Sequence, residues 1–254
     1  ALQVRAGCGL DPAQARFLSA GAGREPNFTG TLAETAGCLV QLGIDGCGYE
    51  QHLVSMEAAV SPRPGNSENW NFQRASALLA VVILADEDDC SGEPTSTFYQ
   101  SVRPGEGMSL RCATLGHVCN GQPVPAQAGF TAPLSTCEPY RRTAQELQTR
   151  LVGLQAFVEG LKRLKRYQDN LLFVGAIAGW DDAPTAEYRI VDVSPGELQL
   201  GSICASPALG AAAPAIRLRT FTRSFANHAF HSICANDLTA AMDDIGRKLS
   251  AALR

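Results

Sequence analysis

The chain has 254 residues, 45% of them apolar, and 21 Lys and Arg against 25 Asp and Glu give a formal charge of −4. That is enough apolar material for one large domain or two small ones. The balance excludes a polybasic nucleic-acid or membrane-surface role, and the one short basic segment, Lys162, Arg163, Lys165 and Arg166, reads as the solvated end of a helix.

Taken in order, residues 1–29 are loop-rich, broken by Gly7, Gly9, Pro12, Gly21, Gly23 and Pro26. Helical spacing begins at 31–42, with Leu32, Thr35, Ala36, Leu39 and Val40 on one side. After a glycine turn a second helix is predicted over 49–60, stopped by Ser61-Pro62-Arg63-Pro64-Gly65. The apolar run 77–85 predicts a strand buried on both faces, ending at Asp86-Glu87-Asp88-Asp89-Cys90-Ser91. Residues 92–138 read as an irregular, disulfide-stapled insertion with too few apolar residues for a core of its own. A long helix is predicted over 139–167, a second buried strand over 171–178, a further strand over 188–193 and a closing helix from 236 or 237 to 253. Both apolar runs are strand-sized, so no span of a bilayer is expected.

Alternating strands and helices predict an α/β fold: one domain over 1–254, with a mostly parallel, Rossmann-like sheet and helices on both faces. Ligands of such sheets bind beyond the carboxyl ends of the strands. The residues there are Asp86, Asp88 and Ser91 after the first strand, and Trp180, Asp181 and Asp182 after the second. Four consecutive carboxylates repel one another and need compensation by water, a cation, or donors such as Arg and backbone N–H. Hard cations favour oxygen ligands of this kind, which makes Asp86 the first candidate metal ligand and Asp88 and Ser91 the next. A solvated acidic turn capping a helix is the competing explanation.

The nine cysteines are Cys8, Cys38, Cys47, Cys90, Cys112, Cys119, Cys137, Cys204 and Cys234, and no CxxC pair occurs. Scattered among Gly, Pro and Ser they point to disulfides and an exported protein, periplasmic, surface-bound or extracellular. Local pairing predicts Cys8–Cys38, Cys90–Cys137, Cys112–Cys119 and Cys204–Cys234. Cys47 is left over, free or paired outside this chain.

The segment from Ala80 through Asp86-Glu87-Asp88-Asp89-Cys90-Ser91 resembles the ITDEDDCS stretch of a branch of von Willebrand factor A-type (vWA) domains in predicted bacterial surface lipoproteins. Asn27-Phe28-Thr29-Gly30-Thr31-Leu32, the loop Asp45-Gly46-Cys47-Gly48-Tyr49-Glu50-Gln51 and Ser232-Ile233-Cys234 are similar to the same branch. The resemblance implies a protein-binding, adhesion or assembly module, and a Mg²⁺, Mn²⁺ or Ca²⁺ site that accepts an acidic group from a partner. Asp86 matches the family's later aspartate. The loop Asp45-Gly46-Cys47-Gly48 matches its threonine loop, with no threonine there, and Glu50 just after it is a further candidate binding residue. The family's D-x-S-x-S motif is absent. Because that motif follows the central strand, the resemblance implies that a companion segment, another chain or a replacement strand completes the sheet.

No HExxH, GxSxG or P-loop occurs. His228 and His231 form an HxxH that puts two rings on one side if helical, against an ordinary surface or packing role. Asp86 or Asp88 with Asp181 or Asp182 in one crevice keeps a metal- or carboxylate-dependent hydrolase as the alternative. A structural surface subunit with a decayed metal site is the other. Trp180 and Trp70 are either interface anchors or lids on the core edge.

Overall fold

The computed structural model describes residues 7–11, 17–21, 23, 25–41, 46–61, 69, 72–99, 104–207 and 210–253. Asp45 and Trp70 lie outside them. The chain divides into two compact units, Ala1–Cys47 with Ala58–Arg74, and Gly48–Glu57 with Ala75–Arg254.

In the first unit, α1 (Leu32–Leu39) begins with a reciprocal capping box between Thr31 and Glu34. Thr29 N–H bonds the Gly9 carbonyl at 2.8 Å. At φ +77° Gly9 sits where a Cβ would stand 2.6 Å from the Thr29 carbonyl, so the approach requires glycine. The Cys8–Cys38 disulfide ties this loop to the helix end.

The second unit takes in most of α2 (His52–Val60) and then, in chain order, β1 (Leu79–Ala85), α3 (Met108–Gly116), β2 (His117–Cys119), β3 (Gln122–Pro123), β4 (Thr131–Pro133), β5 (Cys137–Pro139), α4 (Leu154–Leu164), β6 (Leu172–Ala178), β7 (Glu187–Ser194), β8 (Glu197–Leu200), β9 (Cys204–Ser206), β10 (Gly210–Ala212), α5 (Ile216–Arg223), β11 (His228–Ser232) and α6 (Thr239–Ala252). A parallel sheet of order β1-β6-β11 is its centre. β6 is buried at every position. Its odd-numbered side chains, Phe173 and Ile177, pack with Ala229 beneath Ala241 and Ile245 of α6. Phe230, on the opposite face, packs against the cluster that contains Ile216 of α5. The fold is therefore mixed α/β, with a parallel sheet between helices.

Three expectations are corrected. β1 alternates buried and exposed, because Leu79, Val81, Ile83 and Ala85 face inward while Ala80, Val82 and Leu84 face outward. The stretch 92–138 is not irregular: α3 and four short strands lie in it, and Leu110, Ala113, Val124, Ala132 and Leu134 share one core with Tyr188, Ile190 and Ile216. The long helix contracts to α4, with Gly153 at its N-cap and a separate capped turn at Thr143 and Glu146 before it. Within α4, Phe157, Val158 and Leu161 are buried, each worth about 1.5–3 kcal/mol.

The disulfides need correction too. Cys8–Cys38 and Cys204–Cys234 form as expected, but Cys90 pairs with Cys112 and Cys119 with Cys137. β2 and β5 are antiparallel with Cys119 opposite Cys137, which brings the sulfurs together across the ladder. Cys112, on buried α3, meets Cys90 in the cluster around Tyr49 and Phe98. Cys47 is free and exposed. Non-reducing peptide mapping is expected to return Cys90–Cys112 and Cys119–Cys137, with Cys47 alkylated before any reductant is added.

Candidate functional site

The acidic run turns inward as it leaves β1. Asp86 is exposed and Glu87 half-buried, while Asp88, Asp89 and Ser91 are buried. Asp88 uses both oxygens fully. Oδ1 accepts the N–H groups of Asp89 and Leu218, each at 2.9 Å. Oδ2 accepts the Arg217 N–H at 2.8 Å and His117 Nε2–H at 2.8 Å. Ala215, at the N-cap of α5, makes no side-chain capping bond, so Asp88 caps that helix from a distance.

Asp89 and Ser91 do the same for α2. Asp89 Oδ1 accepts the Leu53 N–H at 2.9 Å and the Ser91 hydroxyl at 2.6 Å. Ser91 Oγ in turn accepts the Val54 N–H at 3.0 Å. Asp89 Oδ2 takes Nε and Nη2 of Arg217 at 3.1 and 2.9 Å. Arg217 is fully buried and also donates to the Val152 carbonyl at 2.8 Å. The two buried carboxylates are thus satisfied by three backbone N–H groups from two helix starts, by the Arg217 and His117 side chains, and by local bonds from Asp89 and Ser91.

The electrostatics follow from these contacts. Burial pushes the Asp88 carboxyl upward, but the hydrogen bond and charge of His117 and the N–H groups of Arg217 and Leu218 outweigh it and hold the group below its usual range. Tyr188 O–H completes a relay, 2.9 Å from His117 Nδ1. Burial, then the nearby Asp88 charge, pushes the Tyr188 phenol well above its ordinary value, so it stays neutral. Outside the hub the sign reverses: burial, then repulsion from Glu50 and Asp86, raises the Glu87 carboxyl.

The crevice beyond the strand ends is bridged. Ala213 N–H bonds the Asp86 carbonyl and Ala215 N–H the Gly179 carbonyl, both at 2.8 Å. A Cβ on Gly179 would stand 1.9 Å from the Ala213 carbonyl oxygen, so the crossing chain and the end of β6 fit only with glycine there. Trp180 is buried, with the Arg219 guanidinium 3.9 Å over its ring. Asp182 accepts its indole N–H at 3.1 Å, and Asp181 accepts Ala183 N–H at 2.8 Å. Trp180 covers the core edge and does not project as an anchor.

Of the candidate metal ligands, Asp86 alone keeps an exposed carboxylate. The acceptor positions of Asp88 and Ser91 are occupied, so these residues do not form a fitting oxygen shell for Mg²⁺, Mn²⁺ or Ca²⁺. Among the described residues no group of three or more His, Cys, Asp or Glu is placed to hold a metal ion. Glu50 is half-buried beside Glu87, and Cys47 is exposed. His228 and His231 lie on β11, in register with Val174 and Ile177, hence on opposite faces of the sheet. The helical HxxH geometry does not arise. The residues that sequence reasoning missed are Arg217, His117 and Tyr188. Pro214 just before Ile216 is a helix-start signal that marks α5; no local signal marks the other two.

No protein-family model, curated protein or solved structure matches this chain.

The hub makes separable predictions. Asp89→Ala leaves the Arg217 guanidinium buried without its carboxylate and is expected to cost about 3–5 kcal/mol in urea unfolding, against about 1 kcal/mol for Ser91→Ala. The lowered Asp88 carboxyl contributes stability that is complete above its unfolded value of about 4. That contribution is lost as pH falls from there through the folded value. A pH series of unfolding midpoints checks this: the acid-side decline is expected to weaken in Asp88→Asn, and an unchanged slope would contradict the assignment.

Proposed function

We propose that the chain is an exported, vWA-like α/β binding module acting in assembly or adhesion, and that its contact surface is the open edge of β1. One observation carries the reading. Among the described residues no strand pairs with β1 on the side away from β6, and on one face Val82 and Leu84 are 47% and 61% exposed. A seven-residue strand, LAVVILA, without charge or proline, is a ready template for strand addition by another polypeptide. The companion strand implied by the vWA resemblance has its natural place there. The parallel sheet between helices supports a Rossmann-like assignment. Four disulfides, with no described helix long and apolar enough to cross a membrane, support export.

The reading routes no contact through a cation, since the hub uses Asp88 and Ser91 internally. That internal use favours a structural surface subunit over metal-dependent adhesion as the form the assembly takes. Native-size measurement on protein extracted from cells that export it tests the proposal. The wild type is expected to run larger than one chain. Leu84→Arg is expected to release the single chain, while Asp181→Asn combined with Asp182→Asn changes nothing. Complexes insensitive to Leu84→Arg would sink it.

A further inference from the structure

The edge of β1 away from β6, unpaired among the described residues, has a property that points to one partner. Read about Val82, the strand is complementary in size to its own antiparallel copy. Leu79 would face Ala85 of a second strand, Ala80 would face Leu84, Val81 would face Ile83, and Val82 would face itself. Every large side chain meets a small one, or two of middle size meet, on both faces of the ladder. Directly opposed side chains in an antiparallel pair lie about 4.5–5.5 Å apart, so this matching decides how well the pair packs.

Charge selects the same direction. Asp86 and Glu87 follow the strand. A parallel pair would set the two acidic ends side by side, where the Glu87 carboxyl already sits among Glu50 and Asp86. An antiparallel pair sets the two acidic ends at opposite ends of the ladder, apart from each other. No lysine, proline or bulge within β1 opposes such pairing. A two-fold axis through Val82 is also the commonest symmetry of soluble oligomers.

We infer that the occupant of the β1 edge is a second copy of this chain, joined by antiparallel β1–β1 pairing about Val82 into one sheet with three strands from each copy. The inference rests on the function proposed above and names the partner. Leu84 of each copy then packs on Ala80 of the other.

The test uses the full purified chain with Cys47→Ser as background, so that the free thiol does not interfere. Sedimentation across a concentration series is expected to show a dimer, and Val82→Lys is expected to weaken it by ~10-fold or more, because two ammonium groups then meet at the axis. Register is read by oxidation. Val82→Cys is expected to form an intermolecular disulfide, Ala80→Cys alone is not, and Ala80→Cys combined with Leu84→Cys is. Cross-linking through Ala80→Cys alone, or a dimer unaffected by Val82→Lys, overturns the pairing. A monomer whose outward β1 amides exchange freely with solvent overturns the second copy while leaving the edge open to a different polypeptide, so the broader function reading stands. A monomer whose outward amides are protected overturns both, because the chain closes its own edge.

Discussion

Two buried carboxylates at the end of one strand set the geometry of the second unit. Asp88 and Asp89 are adjacent in sequence yet serve different helices, Asp88 the start of α5 and Asp89, with Ser91, the start of α2. Burying two like charges side by side is affordable only with donors on every side, and helix N-termini offer several oriented N–H groups at once. Arg217 joins the two halves, since its backbone N–H meets Asp88 and its guanidinium meets Asp89. The hub therefore fixes where β1 ends, how α2 and α5 begin, and where Val152 crosses.

This explains why an acidic strand end that resembles a ligand site behaves as a structural joint. In an open sheet the carboxyl ends of the strands are where backbone N–H groups and side chains converge on a ligand. Here the chain's own helices take up those acidic groups, and residues 212–215 bridge the ends of β1 and β6. Among the described residues, the strand edge without a paired neighbour is lateral, along β1.

How far the sequence could be read depended on the range of the forces involved. β1, β6 and the closing helix were legible because continuous apolar runs and 3.6-residue spacing are local properties. The acids after β1 were legible as a feature in need of compensation, and donors such as Arg and backbone N–H were among the compensators expected. Which donors was not legible, because Arg217 lies 128 residues from Asp89. α5 was hidden by its own composition, since IRLRTFTR carries three arginines and reads as polar surface although Arg217 is buried. The one-sided exposure of β1 could not be read from LAVVILA, because the same run suits a strand covered on one face or on two. The disulfides near α3 were misjudged for a related reason: sequence proximity favoured Cys112–Cys119, but the helix end and the β2–β5 ladder carry those residues toward different partners.

The four disulfides join Cys8 to Cys38, Cys90 to Cys112, Cys119 to Cys137 and Cys204 to Cys234. Apart from Cys47, each bond links a cysteine to the next one along the chain. With Cys47 set aside, joining each thiol to its successor in chain order yields this set with no rearrangement. Cys47 interrupts the series, because it emerges unpaired just ahead of Cys90. Oxidation strictly in order of arrival joins Cys47 to Cys90 and shifts every later bond by one. Reaching the native pattern from that set requires thiol–disulfide exchange, in which the one thiol left over attacks a non-native bond.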